Sequence, residues 1–336
     1  MLQSRLCHKT QSLVATLILL LSPAVNFAQS KLVRFEDHRI SMACTYAITA
    51  YGTDEKQLRQ IINEAFDEVD RIDRLMSHYK KESPLSQLNR EAFQRPVKID
   101  SELFNFITEC VRYSQDSDGA FDITVGPLMK AWGFFRGEGR MPNQKELREA
   151  RQKIGYQHVT LNAKEKTIRF DRAGIELDLG GIAKGYAVDQ AIKILTTRGI
   201  ERALISAGGS TIYGLGAPPE KDGWEVEIQD PLDARKIALT VNLKNQALSI
   251  SGSSEKNFEL NGKRYSHIMD PRTGQPVMNV LSVAVITNTG TKGDALDNIF
   301  YVRGFKKTRK LLKNYSETMV IFFLPEYGNH WKILRY

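Results

Sequence analysis

The chain has 336 residues, 42% hydrophobic and 26% charged, a globular balance rather than a disordered or collagen-like one. The formal net charge of +8 is mild, and no dense Lys/Arg block interleaves with aromatics, which argues against a nucleic-acid partner. Arg5, His8 and Lys9 precede an apolar run over 13–21, and Pro23 and small residues follow, with Ala24 and Ala28 as cleavage positions. This layout is that of a secretory signal peptide, and the run is too short to span a bilayer comfortably. The expected division is a signal peptide over 1–28 and one domain over 29–336. The protein is then exported, periplasmic or otherwise extracytoplasmic, and soluble after cleavage. Losing Arg5 and Lys9 lowers the formal charge from +8 to +6, an excess that suits a phosphate-bearing ligand or an anionic surface. Cys44 and Cys110 remain; they can pair in an oxidising compartment, but two separately buried thiols is the favoured reading.

Residues 30–37 read as a linker. Alternation from Ile40 through Met42, Cys44, Tyr46 and Ile48 predicts one half-buried strand that Gly52 ends. Leu58, Ile61, Ile62, Ala65, Phe66, Val69, Ile72 and Leu75 recur at helical spacing, predicting an amphipathic helix begun near Thr53 and Asp54. Helices are also expected over 101–113 and 146–154, then a hairpin of 159–161 with 168–170. A helix from Lys184 should stop at Gly199, a natural left-handed cap. Strands are expected at 202–206, 224–228, 237–243 and 281–287, a helix over 294–302, and a closing hairpin of 319–323 with 331–334. No βαβ rhythm emerges, so the expected fold is α+β, a single large domain of mixed or antiparallel sheets with packed helices.

Four segments concentrate ligand-type side chains. In residues 118–128, two glycines, a proline and two carboxylates describe a tight loop. Its Phe121 beside Asp122 could cradle a planar ring and accept from its N–H, or the acids could simply satisfy backbone N–H groups in a turn. Residues 178–186 place Gly180 and Gly181 at a helix start, where backbone can approach a ligand and anions are favoured. Lys184 precedes Gly185 rather than following it, so this is no Walker loop, and the glycine spacing does not fit a Rossmann fingerprint. In residues 267–276, His267 ends an apparent strand before a Pro-Arg-Thr-Gly turn; a lone His is more often structural than catalytic. In residues 293–298, a helix beginning at Asp294 would set Asp294, Asp297 and Asn298 on one face. Such oxygens suit Mg²⁺, while the competing reading is N-terminal capping.

Taken in order, these segments resemble the FAD:protein FMN transferase family, the ApbE-type flavin transferases. The resemblance runs from Met42 to about Gly304. It includes Met76-Ser77-His78-Tyr79 with Ser83 and Asn89, the 119–122 loop through Gly133-Phe134, residues 177–186, Ala207-Gly208-Gly209, Ser251-Gly252, residues 267–274 and 294–298. It implies that Met42, Tyr79, Ala120, Phe121, Asp122, Gly180, Tyr186 and Ile268 contact FAD. It implies a Mg²⁺ ion held by the Ala183 carbonyl with Asp294, Asp297 and Asn298. It also implies a flavin transferase domain over 29–336, exported like other members, which attach FMN through its phosphate to a Thr or Ser of membrane redox subunits. Some members instead hydrolyse FAD to FMN and AMP. The chain departs from the family with Asn298 for Thr, Gly293 for Ala, Met42-Ala43-Cys44 for Met-Gly-Thr, and Gly208-Gly209-Ser210 for Gly-Gly-Asp.

The expected reaction is Mg²⁺-dependent transfer of FMN from FAD to a partner protein's hydroxyl, releasing AMP. FAD would lie with its rings against Phe121 and Tyr79 and its pyrophosphate near residues 180–184. Asp294 holds the ion, and His267 is the candidate base or proton shuttle, oriented by Asp270. An FAD pyrophosphatase and a non-catalytic FAD carrier are the alternatives.

Overall fold

In the computed structural model, residues 32–136, 139–252, 257–327 and 330–336 are described; the signal-peptide expectation over 1–28 lies outside them. Among the described residues the central sheet has eight strands: β1 (Val33–Ser41), β2 (Cys44–Gly52), β3 (Ala203–Ala207), β4 (Thr211–Leu215), β5 (Gln246–Gly252), β6 (Ser282–Thr287), β7 (Met319–Pro325) and β8 (Trp331–Arg335). They lie side by side in chain order, each antiparallel to its neighbours. Helices fill the connections. Between β2 and β3 come α1 (Glu55–Met76), α2 (Pro84–Glu91), α3 (Ser101–Asp116), α4 (Gly126–Ala131), α5 (Gln144–Arg151) and α6 (Ala183–Thr197). Between β6 and β7 come α7 (Gly290–Arg303) and α8 (Phe305–Leu312). The α+β expectation holds, and residues 32–336 form one unit.

The α1 stripe predicted from spacing is the buried face, with Asp54 as N-cap accepting from the Lys56 and Gln57 N–H groups. Burying each of its larger aliphatics contributes roughly 1.5–3 kcal/mol. This helix, α6 and α7 contribute to the main core on one face of the sheet, while the hairpin Trp224–Gln229/Ile237–Leu243 closes a second core on the other. Strand β6 sits between the two. Its Val283 and Val285 enter the first core, and Ala284 and Ile286 the second, so the whole strand is buried.

The structure corrects several expectations. The supposed linker over 30–37 contains the start of β1, an edge strand whose alternate residues Arg34, Glu36, His38 and Ile40 are exposed. The single strand through Met42 is a hairpin that turns at Met42 and Ala43, with φ of 49° and 60°. Left-handed backbone at two non-glycine residues carries no Asn-Gly cue, so the alternation ran straight through the turn. Helix α7 begins at Gly290, not Asp294. Spacing also gave no sign of α2, α8, β4 or β5. Cys44 and Cys110 are not joined by a disulfide, and Cys110 is buried.

Candidate active site

The two glycine-bearing helix starts meet. Gly185, in the first turn of α6, lies so close to Gly290 that a Cβ on it would stand 2.2 Å from the Gly290 carbonyl oxygen. Across this crossing each helix supplies the other with a carboxylate. Asp189 on α6 accepts from the Gly290 N–H at 2.6 Å, the Thr291 N–H at 2.8 Å and the Thr291 hydroxyl at 2.6 Å. Asp294 on α7 accepts from the Gly185 N–H at 2.6 Å and the Thr211 hydroxyl at 2.6 Å. The capping reading of Asp294 therefore fails for its own helix, whose N-cap is Thr289; Asp294 serves the start of α6 instead.

Asp294 is 4% exposed. Burial pushes its carboxyl up to about 6, against the opposing pulls of Lys184, Thr211, the Gly185 N–H and Ser249. Burial likewise raises Asp189 and Asp122. One turn on, the Asn298 amide donates to Gly181 O at 3.1 Å, Asp294 O at 2.9 Å and Asp297 Oδ1 at 2.9 Å. Three acceptors around that nitrogen fix the amide's orientation. Lys184 donates to Ser210 Oγ, bringing the β3–β4 turn to the same place. That turn also adjoins the β1–β2 hairpin, where Gly208 N–H donates to Thr45 O at 2.9 Å. There Met42 Sδ accepts from the Tyr46 hydroxyl at 3.1 Å.

The remaining segments are tied to this centre. The Asp178 N–H donates to Ile123 O at 2.7 Å, and Asp178 Oδ1 accepts from the Gly180 N–H at 2.8 Å. Asn89 pairs both amide atoms with the Leu177 backbone, at 2.9 and 2.8 Å, fixing the approach to the glycine turn. Trp132 Nε1 donates to Gly274 O at 3.0 Å. That bond anchors the 267–276 segment beside the 118–128 loop.

The residues implied to contact FAD are held as follows. Asp122 accepts from the Thr124 N–H and hydroxyl and the Tyr156 N–H, so its carboxylate shapes the turn. Phe121 is 7% exposed, packed edge-to-face with Tyr113, and its Cε2 lies close to Gly181. Ala120, Ala183 and Ile268 are buried; the Ile268 N–H donates to Ser266 Oγ. The Tyr186 hydroxyl donates to Glu102 at 2.9 Å. Tyr79 is 54% exposed. His267 lies edge-on to Phe134, 6.3 Å between centroids. Both Asp270 oxygens accept from the Arg272 guanidinium, at 2.8 and 2.7 Å.

Sequence reasoning passed over Thr211 and Asp189. Asp189 had a signal, since an acid among Ala187, Val188, Ala191 and Ile192 on a buried stripe needs a partner. Thr211 had none beyond following two glycines.

Among the described residues no group of three or more His, Cys, Asp or Glu is placed to hold a metal ion. Beside the start of α6 stand the Asp294 and Asp297 carboxylates, and the Asn298 amide turns its nitrogen to Gly181 O, Asp294 O and Asp297 Oδ1. A carboxylate raised by burial and lacking a full counter-charge fits a small hard cation.

A sequence profile of the ApbE family matches residues 42–323. The chain is 31% identical over 287 residues to the FAD:protein FMN transferase of Escherichia coli K12, covering 84% of this chain and 81% of that protein. It is 34% identical over 259 residues to that of Vibrio cholerae, covering 75% of each. The solved ApbE protein of Thermotoga maritima superposes with a TM-score of 0.80 at 29% identity, over 89% of this chain and 96% of that one. With match and relatives spanning most of its length, this chain belongs to the ApbE family.

Proposed function

We propose that the protein splits FAD and transfers the FMN half to a Thr or Ser hydroxyl of a partner protein, releasing AMP. The carrying observation is the buried Asp294 at the start of α6, one turn from Asn298 on the glycine turn. The names of the relatives support the reaction class. Asp294, Asp297, Asn298 and the Ala183 carbonyl would hold Mg²⁺, which when bound supplies positive charge to the pyrophosphate oxygens. The chain's own contribution is positional. The N–H groups opening α6 and the Lys184 ammonium favour the anionic pyrophosphate. His267 is the proposed proton acceptor for the attacking hydroxyl.

The acceptor is proposed to be an extracytoplasmic redox subunit at the membrane, reached after export and cleavage of residues 1–28. Among the described residues no helix is long and apolar enough to cross a membrane. The test is to incubate the protein with FAD, Mg²⁺ and a candidate subunit, reading AMP by chromatography and the subunit's mass for covalent FMN. AMP formed with no mass change would replace transfer by hydrolysis, and unsplit FAD would leave only a carrier.

A further inference from the structure

Along α8 the apolar and the charged positions do not mix. Phe305, Leu311 and Leu312 pack against the main core, and Thr308 between them is buried. Phe305 stacks on Tyr336, with centroids 4.3 Å apart and planes at 7°, and meets Phe322 edge-on. Those contacts fix which way the helix faces. Lys306, Lys307, Arg309, Lys310 and the C-cap Lys313 are all exposed, and at helical spacing they fan over an arc of about 160°. No acid or neutral side chain of the helix interrupts that arc. Among the described residues none of the five forms an ion pair. Acids in the adjoining segments are otherwise engaged: Asp116 accepts from the Tyr315 hydroxyl at 3.2 Å, Asp118 faces Arg303 at 3.4 Å, and Glu317 lies near Lys292. A solvated surface ordinarily mixes its signs, and an unrelieved cationic face repels itself.

We propose that the outer face of α8 docks the protein on the anionic headgroups of a phospholipid membrane. The inference rests on the proposed function in one respect, that the acceptor stands at a membrane, and it names the surface that brings the enzyme there. Two arguments select lipid over an acidic protein. Four of the five cations are lysines, which protein interfaces disfavour, and no exposed aromatic stands among them to anchor a partner. Headgroups that move laterally need no such anchor and respond to charge alone. The placement suits the reaction as well. Asn298 and Arg303 are about 8 Å apart along α7, and α8 begins two residues further on, so a membrane touching α8 lies beside the site.

Co-sedimentation of the full chain with phosphatidylcholine vesicles, with and without phosphatidylglycerol, tests this. The neutral vesicles report whatever the apolar run over 13–21 contributes. Wild type should bind the anionic vesicles more tightly and lose the difference in ~1 M salt, where charges are screened within about 3 Å. Each cation near such a surface adds about fivefold, so Lys306→Gln/Lys310→Gln/Lys313→Gln should weaken that binding by about 100-fold. The same three positions changed to Arg should keep it. Lys145→Gln/Lys164→Gln/Lys244→Gln, which removes three exposed charges outside α8, should lose far less. Melting temperature and AMP release from FAD in solution should match wild type in every variant. Equal binding to both vesicles, equal loss in the two Gln variants, or loss in the Arg variant overturns the proposal. So does a wild type that ignores vesicles while the α8 Gln variant shows a raised KM for the acceptor, which would assign the face to an acidic protein. Vesicle binding without AMP release reads differently, sinking the function and leaving the surface.

Discussion

At Asp294 a carboxylate is withdrawn from water and met by the Gly185 N–H and the Thr211 hydroxyl, with the Lys184 charge nearby. Its raised carboxyl fixes the sign of a pH effect. Between the ordinary carboxylate value and about 6 the native protein holds a proton that the unfolded chain has released. The group's favourable contribution is present in acid and lost as pH rises through 6, by up to about 3 kcal/mol. Asp122 and Asp189, also raised, push the same way. Urea unfolding without divalent ions should give a higher midpoint at pH 5 than these three groups allow at pH 7. Added Mg²⁺ should recover stability at pH 7 and do little at pH 5. Asp294→Asn should abolish AMP release from FAD while leaving the protein folded, with a melting temperature at pH 7.5 no lower than wild type and no longer raised by Mg²⁺. One lost hydrogen bond costs about 1 kcal/mol, which the removed buried charge offsets.

At the scale of elements, the α6–α7 crossing locates the site. Asp189→Ala removes three hydrogen bonds at the start of α7 and should cost about 2–3 kcal/mol by chemical denaturation. FAD splitting should fall as α7 loses its anchor. Gly185→Ala drives a Cβ into the Gly290 carbonyl; the overpacking should cost at least 1–3 kcal/mol. Gly293 presents a related case. A Cβ there would lie 2.4 Å from Ser249 Oγ, so the chain's departure from Ala at 293 is matched by a hydroxyl filling the space. Gly293→Ala should destabilise, and Ser249→Ala in the same chain should recover part of the lost melting temperature, since a Cβ at 293 would still stand 3.0 Å from the Cβ of residue 249 and 3.1 Å from Thr287 Oγ1. Much of this was legible only in part. The spacing of Asp294, Asp297 and Asn298 placed them on one helical face, but Asp189, which fixes where that helix starts, acts across 101 positions. No local pattern carries that information.

For the whole molecule, a sheet of antiparallel neighbours in chain order sends alternate connections out at the same end. The turn at Met42, the β3–β4 turn with Ser210, and the β5–β6 connection bearing His267 and Ile268 all emerge there. This explains why segments far apart in sequence converge, and why their order gave the resemblance before any geometry was known. The second core faces away from the α6–α7 crossing. Val226→Ala, in that core, should lower stability by about 2 kcal/mol and leave the KM for FAD unchanged, as paired denaturation and steady-state measurements would show.

The two hydrogen bonds already on Asp294 bear on how the protein would carry its ion. Any cation must share oxygens that the resting fold already employs, so loading is an exchange of partners rather than the filling of a dedicated cage. Such an ion would come and go with each turnover, be stripped by mild chelation without collapse of the chain, and act as a companion of the nucleotide more than as a fixture of the protein.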